Sequence, residues 1–146
     1  MNTIQQAHIL LVDDNTDLLR LLEEQLRGAG YQNIRTVQNC AAAQTAFAAE
    51  MPELMILDEP SVYLDLAGRE FLLKTIEELA ETRPDLTIVF ITQRIEDILP
   101  VFNRGMILKS GEIVAHGSRD EVLTEENLKD AFGLDIQLIK TEKGRL

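Results

Sequence analysis

The chain has 146 residues, 45% of them hydrophobic and 27% charged, which suits one globular domain with a single buried core. Its net charge of −11, dispersed along the whole length, argues against nucleic acid and membrane surfaces as partners, because both demand clustered Lys and Arg. The lone cysteine, Cys40, excludes an internal disulfide, no apolar run approaches the roughly 20 residues that span a bilayer, and residues 1–6 lack a signal-peptide pattern, so a soluble, cytoplasmic protein is expected.

Strand and helix patterns alternate from the start. Residues 8–13 are a short apolar run bounded by acids, which predicts a central parallel strand. Asn15 or Thr16 can cap the next helix, whose Leu18, Leu19, Leu22 and Leu26 recur at helical spacing until Gly28 and Gly30 stop it. Ile34 to Val37 is a brief second strand. Ala41 to Glu50 is an Ala-rich helix with Phe47 as its large core residue, opened by Cys40 as a small core residue. Leu54–Leu57 is the third strand and ends in Asp58-Glu59-Pro60. A helix with Phe71, Leu72, Ile76 and Leu79 on its inner face ends before Pro84, and Thr87 to Thr92 is a β-branched fourth strand.

Further along, Ile95 to Leu99 predicts a short helix and Gly105 to Leu108 a fifth strand. Lys109-Ser110-Gly111-Glu112 has the chemistry of a tight hairpin turn into Ile113–Ala115. Ser118 with Glu121 forms a capping box for one last helix ending at Phe132-Gly133, and Ile136 to Ile139 predicts a terminal strand. Right-handed crossovers between parallel neighbours predict a three-layer, doubly wound α/β fold. Its sheet is expected to be mainly parallel, with the flavodoxin-like order 2-1-3-4-5 and an added antiparallel hairpin strand at the edge. The expected organisation is one hybrid domain over residues 1–146.

Two family resemblances divide that domain. Residues 7 to about 57, with Asp13-Asp14 closing the first strand and Asp58 closing the third, resemble a two-component response-regulator receiver domain. That resemblance implies an Mg²⁺ site at Asp13, Asp14 and Asp58, since Mg²⁺ takes hard oxygen ligands. It also implies a phospho-accepting Asp58 assisted by Thr92 and Lys109.

Residues from about 54 to 140 resemble the C-terminal half of an ABC-transporter ATP-binding domain. Leu57-Asp58-Glu59-Pro60-Ser61, Leu64-Asp65 and the Leu108–Val114 hairpin carry the likeness. There Asp58 would be the Walker B carboxylate behind Mg²⁺, Glu59 the catalytic glutamate, and Leu64-Asp65 the D-loop. Gln93 stands where the family has its switch His, and Tyr63 where it has Gly. No G-x-x-x-x-G-K-[ST] phosphate loop, Q-loop or LSGGQ signature occurs in these residues.

Each half thus lacks part of its own chemistry. Glu59 beside Asp58 would repel an incoming phosphate, and Lys109-Ser110 replaces the receiver's Lys-Pro step. Without a phosphate cradle, Glu59 and Gln93 would be vestigial. His8 and His116 have no partner at metal-ligand spacing.

The expectation is a chimeric, engineered scaffold: residues 1–57 receiver-like, 58–146 ABC-like. It would have no enzymatic activity, no cofactor beyond a weakly held Mg²⁺, no specific partner, and no ATP or membrane binding. A phospho-accepting signalling module using Asp58 is the first alternative. A degenerate ABC ATPase fragment is the second.

Overall fold

The structure, a computed structural model, describes residues 3–146; the first two residues of the segment read for a signal peptide lie outside it. The chain forms two compact units that divide between Gln93 and Arg94, where one continuous domain is expected. The predicted 57/58 junction falls inside a strand of the first unit. That strand, residues 54–58, is hydrogen-bonded on one side to residues 9–12 and on the other to residues 87–91, so one backbone ladder crosses the junction.

In the first unit, strands β1 (Ile9–Val12), β2 (Ile34–Val37), β3 (Leu54–Asp58) and β4 (Thr87–Ile91) form one parallel sheet in the order β2-β1-β3-β4. All four residues of β1 are buried, as a strand flanked on both sides and covered on both faces requires. Helix α1 (Thr16–Gly28) starts at Asn15, whose side chain accepts hydrogen bonds from the amides of Asp17 and Leu18. Its Leu19 packs with Ile9 and Leu11 into a cluster joined by Leu22, Leu26, Tyr31, Ile34, Leu54 and Ile56.

Side chains alternate across a strand, so Leu10, Val12, Met55 and Leu57 face the opposite side. With right-handed connections, the strand order puts α1 on one face and the helices α2 (Cys40–Ala49) and α3 (Leu66–Thr82) on the other. Helix α3 buries Leu73 and Ile76, whereas Phe71 is 66% exposed. The expected inner face ran through Phe71. The actual packing rotates the helix so that the Leu73–Ile76 side meets the core. Two further core expectations on α2 fail alike: Cys40 is exposed and Phe47 is only half-buried, because Ala46 is the residue turned inward. Phe47 instead carries the Arg83 guanidinium 5.5 Å from its ring centre.

In the second unit, β5 (Arg104–Lys109) pairs antiparallel with β6 (Glu112–Ser118) as a two-stranded sheet. Ser110 and Gly111 turn the chain with φ of 52° and 79°, the left-handed pair that a tight hairpin demands. The order 2-1-3-4 is formed, but the fifth position of the predicted order is not. β5 pairs with β6 alone, across a two-residue turn, in a two-stranded sheet of its own.

The predicted last helix is two. Helix α4 (Arg119–Val122) opens with the Ser118/Glu121 capping box. Helix α5 (Glu125–Phe132) is capped anew by Thr124 and closed by Gly133 at φ 70°. The helix expected at 95–99 is a 3-10 turn, Ile95–Asp97. The terminal strand is absent: Leu138 donates its amide to Glu125 Oε1, and Ile139 is 72% exposed.

Leu11, 1% exposed between two strands and α1, tests this core. Leu11→Ala should lower the unfolding free energy by about 2–5 kcal/mol in urea titration, because the removed methyl groups leave a cavity the sheet cannot close. A loss below about 1 kcal/mol would show that the α1 face is loosely packed.

Candidate functional site

The site is built by strand register. Val12 pairs with Leu57, so Asp13 and Asp58 come next at the same level of adjacent parallel strands; Asp58 in turn pairs with Ile91. Strand C-termini in such sheets are where ligands bind. Asp13 continues the ladder by donating its amide to Val37 O, and its Oδ1 accepts the Asn15 amide at 2.7 Å. Asp13 is 8% exposed. Burial pushes its carboxyl above the ordinary range, and neighbouring Asp14 adds to the rise against the Asn15 hydrogen bond. Asp58 is raised as well, first by burial, then by the charges of Asp13 and Glu59.

Glu59 sits in an uncommon conformation. Its φ is 45°, left-handed for a residue with a Cβ and unusual before a proline, which favours extended backbone. Such a conformation costs about 1–3 kcal/mol and persists where surrounding contacts impose it. Here two contacts do so: the Glu59 amide donates to Ile91 O at 2.9 Å, and its Oε1 accepts the main-chain N–H of Gln93 at 2.9 Å. Its Oε2 is buried with no hydrogen-bond partner among the described residues. No sequence signal points to that Gln93 N–H. A backbone donor belongs to every residue but proline, and only the fold aims it.

The remaining expected site residues are dispersed. Asp14 is exposed, and among the described residues no three His, Cys, Asp or Glu side chains gather to hold a metal ion, so Asp13, Asp14 and Asp58 do not form the expected set. The reason is local: successive residues leave β1 in different directions, and Asp13 turns inward to meet the Asn15 amide. What remains, Asp13 and Asp58 at one level of the sheet edge, fits an ion that brings its own phosphate and water ligands, as Mg²⁺ does.

Thr92 comes directly after β4 at the same edge, half-buried. Lys109 belongs to the second unit, where its Nζ donates to the Asp130 carbonyl. Asp65 caps α3, its Oδ1 accepting the Gly68 amide at 2.7 Å. His8 pairs through Nδ1 with Glu50 at 2.9 Å, beside a cavity of about 160 Å³ at the opposite, N-terminal edge of the strands.

Comparison with known proteins gives this geometry a family context. No protein-family model matches the chain. It is 41% identical over 88 residues to YlmA, an uncharacterized ABC transporter ATP-binding protein of Bacillus subtilis, covering 60% of this chain and 33% of that protein. It is 32% identical over 140 residues to the vitamin B12 import ATP-binding protein BtuD of Escherichia coli, covering 96% of this chain and 54% of that one. Among solved structures, a protein described as a metal-chelate type ABC transporter in an inward-facing conformation matches 62% of this chain and 36% of its own. The TM-score is 0.54 at 29% identity. The chain therefore spans between a third and about half of the length of these curated relatives.

These likenesses correct the sequence reading at several points. Similarity to ABC ATP-binding proteins runs over most of the chain, including the residues assigned to a receiver, and gives no support to a receiver-derived half or a chimera. The expectations of no enzymatic activity, no ATP and no membrane partner are overturned, because the relatives are ATP-binding components of transporters.

The raised carboxyls make the site's pH dependence predictable. A carboxyl raised in the folded chain binds its proton more tightly there than in the unfolded chain. Stability therefore falls as pH rises from the ordinary aspartate value of 3.8 through the raised one, and the penalty is complete above it. Asp58→Asn should raise the melting midpoint at neutral pH, with the gain vanishing below pH 3.8. Equal or lower melting at pH 7 would show that neither burial nor repulsion penalises the charged Asp58 carboxylate.

Proposed function

We propose that the chain is the Walker B, D-loop and switch portion of an ABC-type ATP-binding protein, working with a further polypeptide segment that holds the nucleotide phosphates. The observation that carries this reading is the conjunction of the 140-residue alignment with two carboxylates delivered side by side at a parallel-sheet edge. The phosphate-loop motif is missing from the sequence, and positioning supplies nearly all of phosphoryl-transfer catalysis, so the cradle must come from elsewhere.

In this reading Asp58, with Asp13 behind it, would hold Mg²⁺, which when bound neutralises charge on the β- and γ-phosphates. Glu59 would accept a hydrogen bond from the attacking water and orient it toward the γ-phosphorus. Gln93 takes the switch position after β4. Its side chain is a neutral amide, so it can donate to a phosphate oxygen without carrying a proton between groups. Asp65 keeps the D-loop in place by capping α3 rather than by reaching the nucleotide. Among the described residues no helix is long and apolar enough to cross a membrane, so association with a transporter would be by docking against its membrane subunit.

The test is thermal or calorimetric titration with Mg²⁺ and ATP together, on the chain mixed with a phosphate-loop segment of an ABC ATP-binding protein supplied in trans. Both should be needed for stabilisation. Saturation at a hundredfold above Kd should add about 2.7 kcal/mol, because a ligand that binds only the folded chain stabilises it by mass action. Asp58→Asn should remove the effect and Glu59→Gln should keep it. A chain that Mg²⁺ and ATP leave unchanged even with that segment present would refute this function.

A further inference from the structure

The two oxygens of the Glu59 carboxylate are held differently in this structure. Oε1 is taken by the main-chain N–H of Gln93 at 2.9 Å, and Oε2 is enclosed with no partner among the described residues. The left-handed backbone at Glu59, tied through its amide to Ile91 O, holds the side chain in that direction. Held this way, the carboxylate can offer an attacking water only what remains of Oε1, in the direction that the Gln93 N–H fixes. The arrangement is also costly, since a buried acceptor without a donor forfeits its hydration. Such a conformation is poised to leave as soon as its one restraining donor finds a better acceptor.

We infer that the main-chain N–H of Gln93 is a latch that parks Glu59 in the resting protein, and that a nucleotide phosphate releases it by taking that N–H for itself. The inference rests on the ATP-binding reading and adds regulation to the same site. Gln93 lies just beyond β4 at the sheet edge where the carboxylates stand, and the residue is exposed, so a phosphate that reaches that edge meets the N–H that Glu59 now accepts. A phosphate oxygen competes for an amide donor at least as well as a carboxylate and repels that carboxylate once bound. The displaced Glu59 then gains water at the oxygen now orphaned. Because the donor is backbone, the latch is indifferent to the side chain at position 93.

The experiment is a trans-hydrogen-bond scalar coupling measurement on the isotope-labelled full chain. The free protein should show coupling between the Gln93 amide ¹⁵N and the Glu59 carboxyl ¹³C. The coupling should persist in Gln93→Ala and be absent in Glu59→Ala. On saturation with Mg²⁺ and a non-hydrolysable ATP analogue, with the phosphate-loop segment supplied in trans, it should disappear, and coupling from the same ¹⁵N to ³¹P should replace it. A free chain without the carboxyl coupling overturns the latch. So does a spectrum that responds to nucleotide while the carboxyl coupling stays, and in that case the ATP reading survives. A chain that shows the carboxyl coupling but no response to nucleotide overturns the release and the ATP reading together.

Discussion

Register between parallel strands is the constraint on which the rest of the first unit depends. Hydrogen bonds pair Val12 with Leu57 and Asp58 with Ile91, and once those pairs form, the residues that end each strand stand at one level. A slip by one residue would send every side chain of the strand to the other face, so the buried rows Ile9–Leu11 and Met55–Leu57 hold the register in place. Acidic side chains at that level are not there because they attract one another. Burial raises both Asp13 and Asp58, Asp14 adds to the first and the charges of Asp13 and Glu59 to the second, and the apolar packing behind them offsets that cost.

The same scaffold accounts for the strain at Glu59. A residue placed directly after a buried strand, and directly before a proline, has little freedom to choose its own backbone angles. Hydrogen bonding of its amide to Ile91 O and of its carboxylate to the Gln93 amide selects a conformation that the isolated dipeptide would avoid. Strain and an unpartnered buried oxygen on one residue are an uneconomical way to stabilise a fold. They are an ordinary way to hold a reactive group ready.

The second unit is built on different physics. Its sheet is closed by a two-residue turn, and its helices are defined by caps: Ser118 with Glu121, then Thr124, then Gly133. These are local interactions, completed within a few residues, and they need no distant partner to decide them. The tail is tied by polar contacts of the same modest kind, Lys140 to Asp120 and the Arg119 guanidinium to Gly144 O. The Lys140–Asp120 pair is exposed and contributes little energy, and the Arg119 contact is a single partly buried hydrogen bond, so together they order the tail without making a strand of it.

That contrast explains what could be read before the fold was seen. Strand Ile34–Val37, the Asn15 cap, the Ser110-Gly111 turn and the Ser118 capping box are set by residues within a turn or two of one another, and the amino-acid sequence alone determined them. It likewise determined the arrival of Asp13 and Asp58 at strand ends. Tertiary structure decided which face of α3 turns inward, Leu73 rather than Phe71, and it aimed the Gln93 amide at Glu59. Each of those outcomes is a competition between surfaces far apart in the chain, and burial settles it only when they meet.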